Sequence, residues 1–283
     1  MLKTANKPTG QSTLSLTRNP ECPYGFPWKD GMTPPISQSP AFRGRADMKP
    51  LKIFLLTVIG LLPALDAPSM DGRREIIATF STSVEDQDDA VRHNIRLASA
   101  KLDGTVIPPK SVFSFNDTVG EGSSRNGFRN GAVLYRDEVR HEPGGGLCQV
   151  SSTLFNALMA AGCEITERHR HFQPVTYVPP GLDATIKYGK KDLRIRNPYD
   201  FRLHIESSVN GKSLLVRIRS DSPPPYRYEL FTEEEETELP IQDDGRRFRG
   251  GISVNVYRKK LSGDRLIESF LLYKDHYPAV FLK

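Results

Sequence analysis

The chain has 283 residues, 37% of them hydrophobic and 26% charged, a globular balance with room for one fair-sized domain or two small ones. Its formal charge of +5 sits mostly at one end: residues 1–67 carry eight Lys or Arg against four Asp or Glu, which leaves +1 for the remaining 216. A folded part so nearly neutral offers no clustered basic face and argues against a nucleic-acid partner.

Residues 1–47 are rich in Pro, Ser, Thr and Gly and hold the single tryptophan, Trp28; with no apolar periodicity they read as a disordered leader. At Met48 the pattern changes. Lys49 and Lys52 precede the apolar run Ile53–Leu62, and Ala64 and Ala67 follow. That layout predicts a secretory signal peptide over 48–67, or a short signal anchor. Met48 is then a candidate initiator, which would leave residues 1–47 untranslated. The expectation is an exported protein that meets the membrane only through this segment.

Residues 71–220 read as the main domain and 221–283 as a small β-rich C-terminal extension. A strand is expected over Glu75–Ser83 and a helix over Gln87–Leu102, where Val91, Ile95, Ala98 and Leu102 recur at helical spacing before Gly104. Val112–Phe115 reads as a short strand, Asn116–Gly131 as a glycine-loaded loop, Ala132–Tyr135 as a strand and Asp137–Pro143 as a connection. The next stretch is the most specific one. Gly144, Gly145 and Gly146 lead into Cys148, and Val150, Leu154, Ala157, Leu158 and Ala161 form an apolar helical stripe that Gly162 ends. A strand is expected over Cys163–His171, another over Asp183–Tyr188, then three antiparallel strands at Asp192–Asn197, Phe201–Glu206 and Ser213–Arg219. Ser222–Pro225 reads as a linker, Glu233–Glu236 as an acidic loop, and Ile252–Tyr257 with Arg265–Tyr273 as a final strand pair around Ser262-Gly263.

Cys148 falls at a helix start, where unpaired N–H groups and the helix dipole favour an anion, so its thiol should ionise readily. A bridge to Cys163 is not expected, because the intervening helix separates the two by roughly 20 Å and a disulfide needs about 7 Å or less. A strand returning from Gly162 regains that roughly 20 Å in six steps, at His169, and passes it at eight, at His171. Chain length alone leaves both rings open as partners of the thiol. Asp183, at the start of the next strand, could orient an imidazole, and Gln149 could offer its amide or backbone N–H to an oxyanion. His141 reads as a solvated loop residue. Cys148, His169, His171 and Asp183 are all permissible zinc ligands, but their spacing is not that of a finger or ribbon. Neither a cofactor nor a resident metal is called for.

The segments FSFNDTVGEGSSRNGF, GGGLCQVSSTLFNALMAAG, ERHRHFQPVTYVPPGLDATI and DLRIRN, in that order, resemble the VanW family over roughly Ile76 to Ile218. That resemblance implies bacterial origin, export or anchoring, and a link to the cell envelope or the glycopeptide response. The family motif falls on Gly144, Gly145, Gly146, Cys148, Gln149, Ser151, Ser152 and Thr153, its arginine–histidine element on Arg168 and His171, and its aspartate element on Asp183, Ala184 and Thr185. On that correspondence His171 is preferred to His169. The order of cysteine, histidine and aspartate also resembles transglutaminase-like and papain-like enzymes.

The expected architecture is therefore α+β, a cysteine-bearing helix packed on an antiparallel sheet. The expected function is that of a thiol enzyme on peptidoglycan peptides: Cys148, His171 (or His169), Asp183 and Gln149 would do the chemistry, and Gly144–Gly146, Ser151 and Arg168 would receive the substrate. A peptidoglycan- or glycopeptide-binding protein without turnover is the rival reading.

Overall fold

The computed structural model describes residues 74–135, 138–236 and 248–281; the leader, the signal-like segment and Cys22 lie outside them. Among the described residues, strand residues outnumber helical ones, 44% to 19%. They form several separate antiparallel sheets, which overturns the expected α+β, papain-like layout of one helix on one sheet.

In the largest sheet the order is β1 (Glu75–Ser83), β9 (Ser213–Ser220), β8 (Leu203–Asn210), β2 (Val106–Ile107). Leu214, Val216 and Ile218 alternate inward along β9, as do Leu203 and Ile205 along β8, so this sheet presents one apolar face. A second sheet has the order β10 (Arg227–Glu236), β12 (Ile252–Ser262), β13 (Arg265–Tyr277), and a third the order β3 (Val112–Ser114), β7 (Arg194–Arg196), β6 (Glu164–Glu167). The pairs β4 (Asn130–Tyr135) with β5 (Glu138–Pro143), and β11 (Phe248–Arg249) with β14 (Val280–Phe281), complete the strands.

Among the described residues there are three α-helices, and two of them set the core. Helix α1 (Asp89–Leu102) starts where the Asp88 carboxylate accepts from the Val91 N–H at 2.7 Å, a side-chain N-cap. Its stripe of Val91, Ile95, Ala98 and Leu102 is buried. Helix α3 (Leu147–Ala160) has 12 of its 14 residues buried, so it is enclosed on all sides rather than laid on a surface. This is the physical reason the two-layer expectation fails: α3 packs against strands of two different sheets, β1 and β9 on one and β10 on the other.

Five local expectations change as well. The glycine-loaded loop begins with a third, five-residue helix, α2 (Phe115–Val119), capped by the Ser114 hydroxyl on Asp117 N–H at 3.1 Å. The connection before the glycine run is β5. The acidic stretch ends β10, where Glu233–Glu236 pair in register with Asn255–Ile252. The strand after Gly162 stops at Glu167, and Asp183–Tyr188 forms no strand beyond an isolated bridge between Lys187 and Lys191.

That last segment is held by the helix instead of by a sheet. Cys148, Ser152 and Asn156 lie four apart, on one face of α3. Asn156 Nδ2 donates to Leu182 O at 2.7 Å, Ser152 Oγ accepts from Ala184 N–H at 2.8 Å, and Ser151 Oγ donates to Ala184 O. Thr185 N–H donates to His169 O at 2.7 Å. The Leu182 carbonyl, both backbone groups of Ala184 and the Thr185 N–H thus find partners without a ladder.

Candidate functional site

The site is assembled at the N-terminal end of α3. Gly146 precedes the helix with φ at +98°, a conformation that suits glycine. Gly145 lies so close to β4 that an added Cβ would come within 2.6 Å of the Gly131 carbonyl carbon. Asn94 of α1 fixes this approach, donating to Gly145 O (2.9 Å) and Arg129 O (2.8 Å) and accepting from Arg129 N–H (2.7 Å). The glycine run therefore lets the helix start, the β4–β5 hairpin and α1 meet at backbone distance. It sets the position of the next residue but one, Cys148.

Cys148 is half-buried. Its sulfur lies 3.5 Å from Thr185 Oγ1 and 3.8 Å from Ile186 O, on the segment that the helix rail holds. His171 is buried, and both its backbone N–H and its Nδ1 are 2.6 Å from Asp183 Oδ2. With Nδ1 committed to the carboxylate, Nε2 is the ring nitrogen left for the thiol. Asp183 is 1% exposed. Its other oxygen, Oδ1, accepts from the Tyr277 hydroxyl at 2.6 Å and from the Arg168 guanidinium at 3.2 Å.

The ionisation of these groups follows from that geometry. Burial works to raise the Cys148 thiol, but the hydrogen bond and charge of His171, helped by Thr185 and the Ile186 backbone, hold it below the ordinary thiol value. Burial likewise disfavours the His171 imidazolium, yet the bonds to Asp183 and Cys148 carry it up to about 9. Asp183, against its own burial, is kept low by His171, Arg168 and Tyr277. A thiol held below its ordinary value by an imidazole that a carboxylate backs is the arrangement from which a nucleophile is activated.

Some residues singled out in the sequence meet here and others do not. Cys148, His171 and Asp183 come together. His169 turns instead to Glu167 Oε1 at 2.9 Å, because the strand ends before it and its alternation no longer carries the ring inward. Gln149 is buried away from the sulfur: its amide donates to Ser83 O (2.6 Å) and Thr82 Oγ1 (3.1 Å) and accepts from Gln87 Nε2 (3.1 Å), while its backbone N–H bonds Gly146 O (3.0 Å). Ser151 clamps Ala184. Arg168 has a side chain 6% exposed, its nitrogens bonded to Asp183 O (2.7 Å), Gly181 O (3.0 Å) and Asp275 (2.8 and 3.2 Å). Stacked over Tyr273 at 4.5 Å, it acts as an internal strut. His141 is exposed on β5.

Tyr277, Asp275 and Tyr177 escaped the sequence reading. Tyr177 stands edge-on to His171, ring centroids 6.4 Å apart, and its hydroxyl is pushed far above the ordinary value by burial and then by the nearby Cys148 and Asp183. No spacing pattern points to any of the three. Among the described residues no group of three or more His, Cys, Asp or Glu is placed to hold a metal ion, and no helix is long and apolar enough to cross a membrane.

Residues 90–219 match the family model described as VanW like protein. The chain is 40% identical over 128 residues to the uncharacterized protein YoaR of Bacillus subtilis, covering 45% of this chain and 42% of that one. It is 28% identical over 142 residues to the vancomycin B-type resistance protein VanW of Enterococcus faecalis, covering 48% and 52%. The chain thus spans about half the length of these curated relatives. No solved structure matches it.

Proposed function

From the premise that this chain is a VanW-like family protein, we propose that it is an exported cell-envelope protein whose Cys148 site breaks or transfers amide bonds in peptidoglycan peptides. The observation that carries the reading is the Cys148–His171–Asp183 constellation, with His171 held as imidazolium beside a thiol of lowered pKa. The name of the enterococcal relative supports the envelope and glycopeptide setting.

The chemistry runs in two halves. The Cys148 thiolate attacks the carbonyl carbon, forming a C–S bond and placing negative charge on the carbonyl oxygen. The Leu147, Gln149 and Val150 N–H groups already bond Gly144 O and Gly146 O, so of the first turn of α3 the Cys148 N–H is the backbone donor left for that oxygen. The His171 Nε2–H gives its proton to the departing amine, the C–N bond breaks, and a thioester remains. Water or an acceptor amine then gives its proton back to Nε2 as it attacks, and the thiolate leaves. Asp183 stays ionised throughout and keeps the ring in place.

The test is to incubate the protein with peptidoglycan stem peptides and examine it by intact mass. The expected result is a thioester adduct and a shortened or exchanged peptide with the native protein, and neither with Cys148→Ser. Tight binding of the same peptides by both proteins, with no product from either, would instead support a binding module. That second reading draws on one contact: the 185–186 segment lies against the sulfur at 3.5 and 3.8 Å, as it would if the thiol were a structural anchor.

A further inference from the structure

The Asp183 carboxylate is completed from outside the family-matched segment 90–219. Strand β13 contributes a phenol to it directly and a carboxylate through Arg168. The Tyr277 hydroxyl donates to Asp183 Oδ1 at 2.6 Å and accepts from Gly181 N–H at 2.8 Å, so its proton has one defined destination. Two residues earlier, on the same face of the strand, Asp275 pairs with the Arg168 guanidinium at 2.8 Å, and that guanidinium also reaches Asp183 Oδ1. Tyr277 and Asp183 are each 1% exposed, where a hydrogen bond to a charged group is strong and its loss leaves an unpaired acceptor.

We infer that Tyr277 is a positioning residue for the thiol site: its hydroxyl fixes Asp183 in the orientation that serves His171, while Asp275 holds Arg168 against the same carboxylate. This rests on the reading of Cys148, His171 and Asp183 as one working site. The chain of action is short. Tyr277 and Arg168 occupy Oδ1, which aims Oδ2 at both the backbone N–H and the ring of His171. His171 so held is what lowers the Cys148 thiol. Thr185 touches the sulfur and Tyr177 lies near it, but neither touches Asp183 by a hydrogen bond, so neither substitutes for Tyr277.

Tyr273 supplies a matched control. It lies on the same strand and its hydroxyl bonds the same loop, donating to Gly181 O at 2.8 Å, yet it makes no hydrogen bond to Asp183. The experiment is the rate of Cys148 alkylation by iodoacetamide from pH 5 to 10 in the full chain, which needs no substrate. For Tyr277→Phe the rate at pH 6 is expected to fall about tenfold, the effect of one charge-assisted hydrogen bond, and to rejoin the native rate at pH 10, where any accessible thiol is ionised. Tyr273→Phe should follow the native profile.

An unchanged profile in Tyr277→Phe overturns the inference, and so does an equal slowing in both variants, which marks general loosening of the hairpin. A native protein whose thiol already titrates in the ordinary range removes the site reading itself and the inference with it. Should Tyr277→Phe fail to fold, Asp275→Asn loosens Arg168 from the same strand. Slower alkylation at pH 6 then supports the inference and an unchanged rate overturns it.

Discussion

Two cysteines bracket helix α3, and their surroundings drive their thiols in opposite directions. Cys148, at the start, is half-buried beside an imidazolium and its thiol is lowered. Cys163, just past the end, is fully buried in the core, and that burial, only partly offset by Arg258, pushes its thiol up to about 12. Both are free. The helix dipole favours an anion at one end and disfavours it at the other, but that contributes a fraction of a kcal/mol to about 2. The larger difference lies in what the chain returns to each end: His171 and Asp183 to the first, apolar side chains and the Arg258 guanidinium, which bonds Cys163 O at 2.7 Å, to the second. Residue type alone says nothing about reactivity here; the company does.

The contrast can be broken most severely at Asp183. In Asp183→Ala the buried donors of His171, Tyr277 and Arg168 lose their acceptor, and unfolding in urea should show a loss of about 4 kcal/mol at pH 7. The sign with pH is fixed by the lowered Asp183 value. Its stabilisation is complete above the ordinary carboxylate range and is lost as pH falls through the folded value, so native and variant proteins should converge at low pH. A constant difference down to pH 2 would mean that the charge is not what matters.

A smaller effect is expected where the helix begins. In Gly146→Ala the new Cβ would sit 2.9 Å from Ile95 Cγ1 and 3.0 Å from Val91 Cγ1, on a backbone at φ +98°. About 2 kcal/mol of destabilisation should follow, measured as a lowered unfolding midpoint. An unaffected midpoint would show that the turn relaxes freely and does not set the place of Cys148. The mildest change is His171→Ala, which should bring the two thiols closer in behaviour: Cys148 alkylation at pH 6 should drop at least about tenfold, the ratio that one pKa unit produces.

Much of this was legible where local pattern governs. The apolar stripe from Val150 to Leu158 marks α3, the alternation in β8 and β9 marks their sheet, and Ser262-Gly263 marks the β12–β13 hairpin. What escaped depends on partners distant in sequence. The Asp183–Tyr188 segment has β-branched residues and reads as a strand, yet the backbone of Ala184 bonds Ser151 and Ser152, 33 and 32 residues away, and the Leu182 carbonyl just before it accepts from Asn156. Glu233–Glu236 reads as a solvated loop because its side chains are charged, yet its backbone pairs with β12, and Asn255 Nδ2 donates to Glu235 at 3.1 Å. Polar residues on a paired edge leave no periodicity to read. The step count left His169 and His171 open, and it assumed a strand that in fact stops at Glu167; the His171 ring sits on irregular chain pinned by Asp183. Tyr277 and Asp275, 94 and 107 residues from their partners, had no local signal at all.

The most direct measurement is the competitive alkylation of the two cysteines in the native, folded protein as pH is raised from 5 to 10, each site followed by mass of its own peptide. Cys148 should label well below pH 8 with a profile that shifts upward in His171→Ala, while Cys163 stays unlabelled until the protein unfolds. Equal, slow labelling of both at neutral pH, or a Cys148 profile indifferent to His171, would contradict the account.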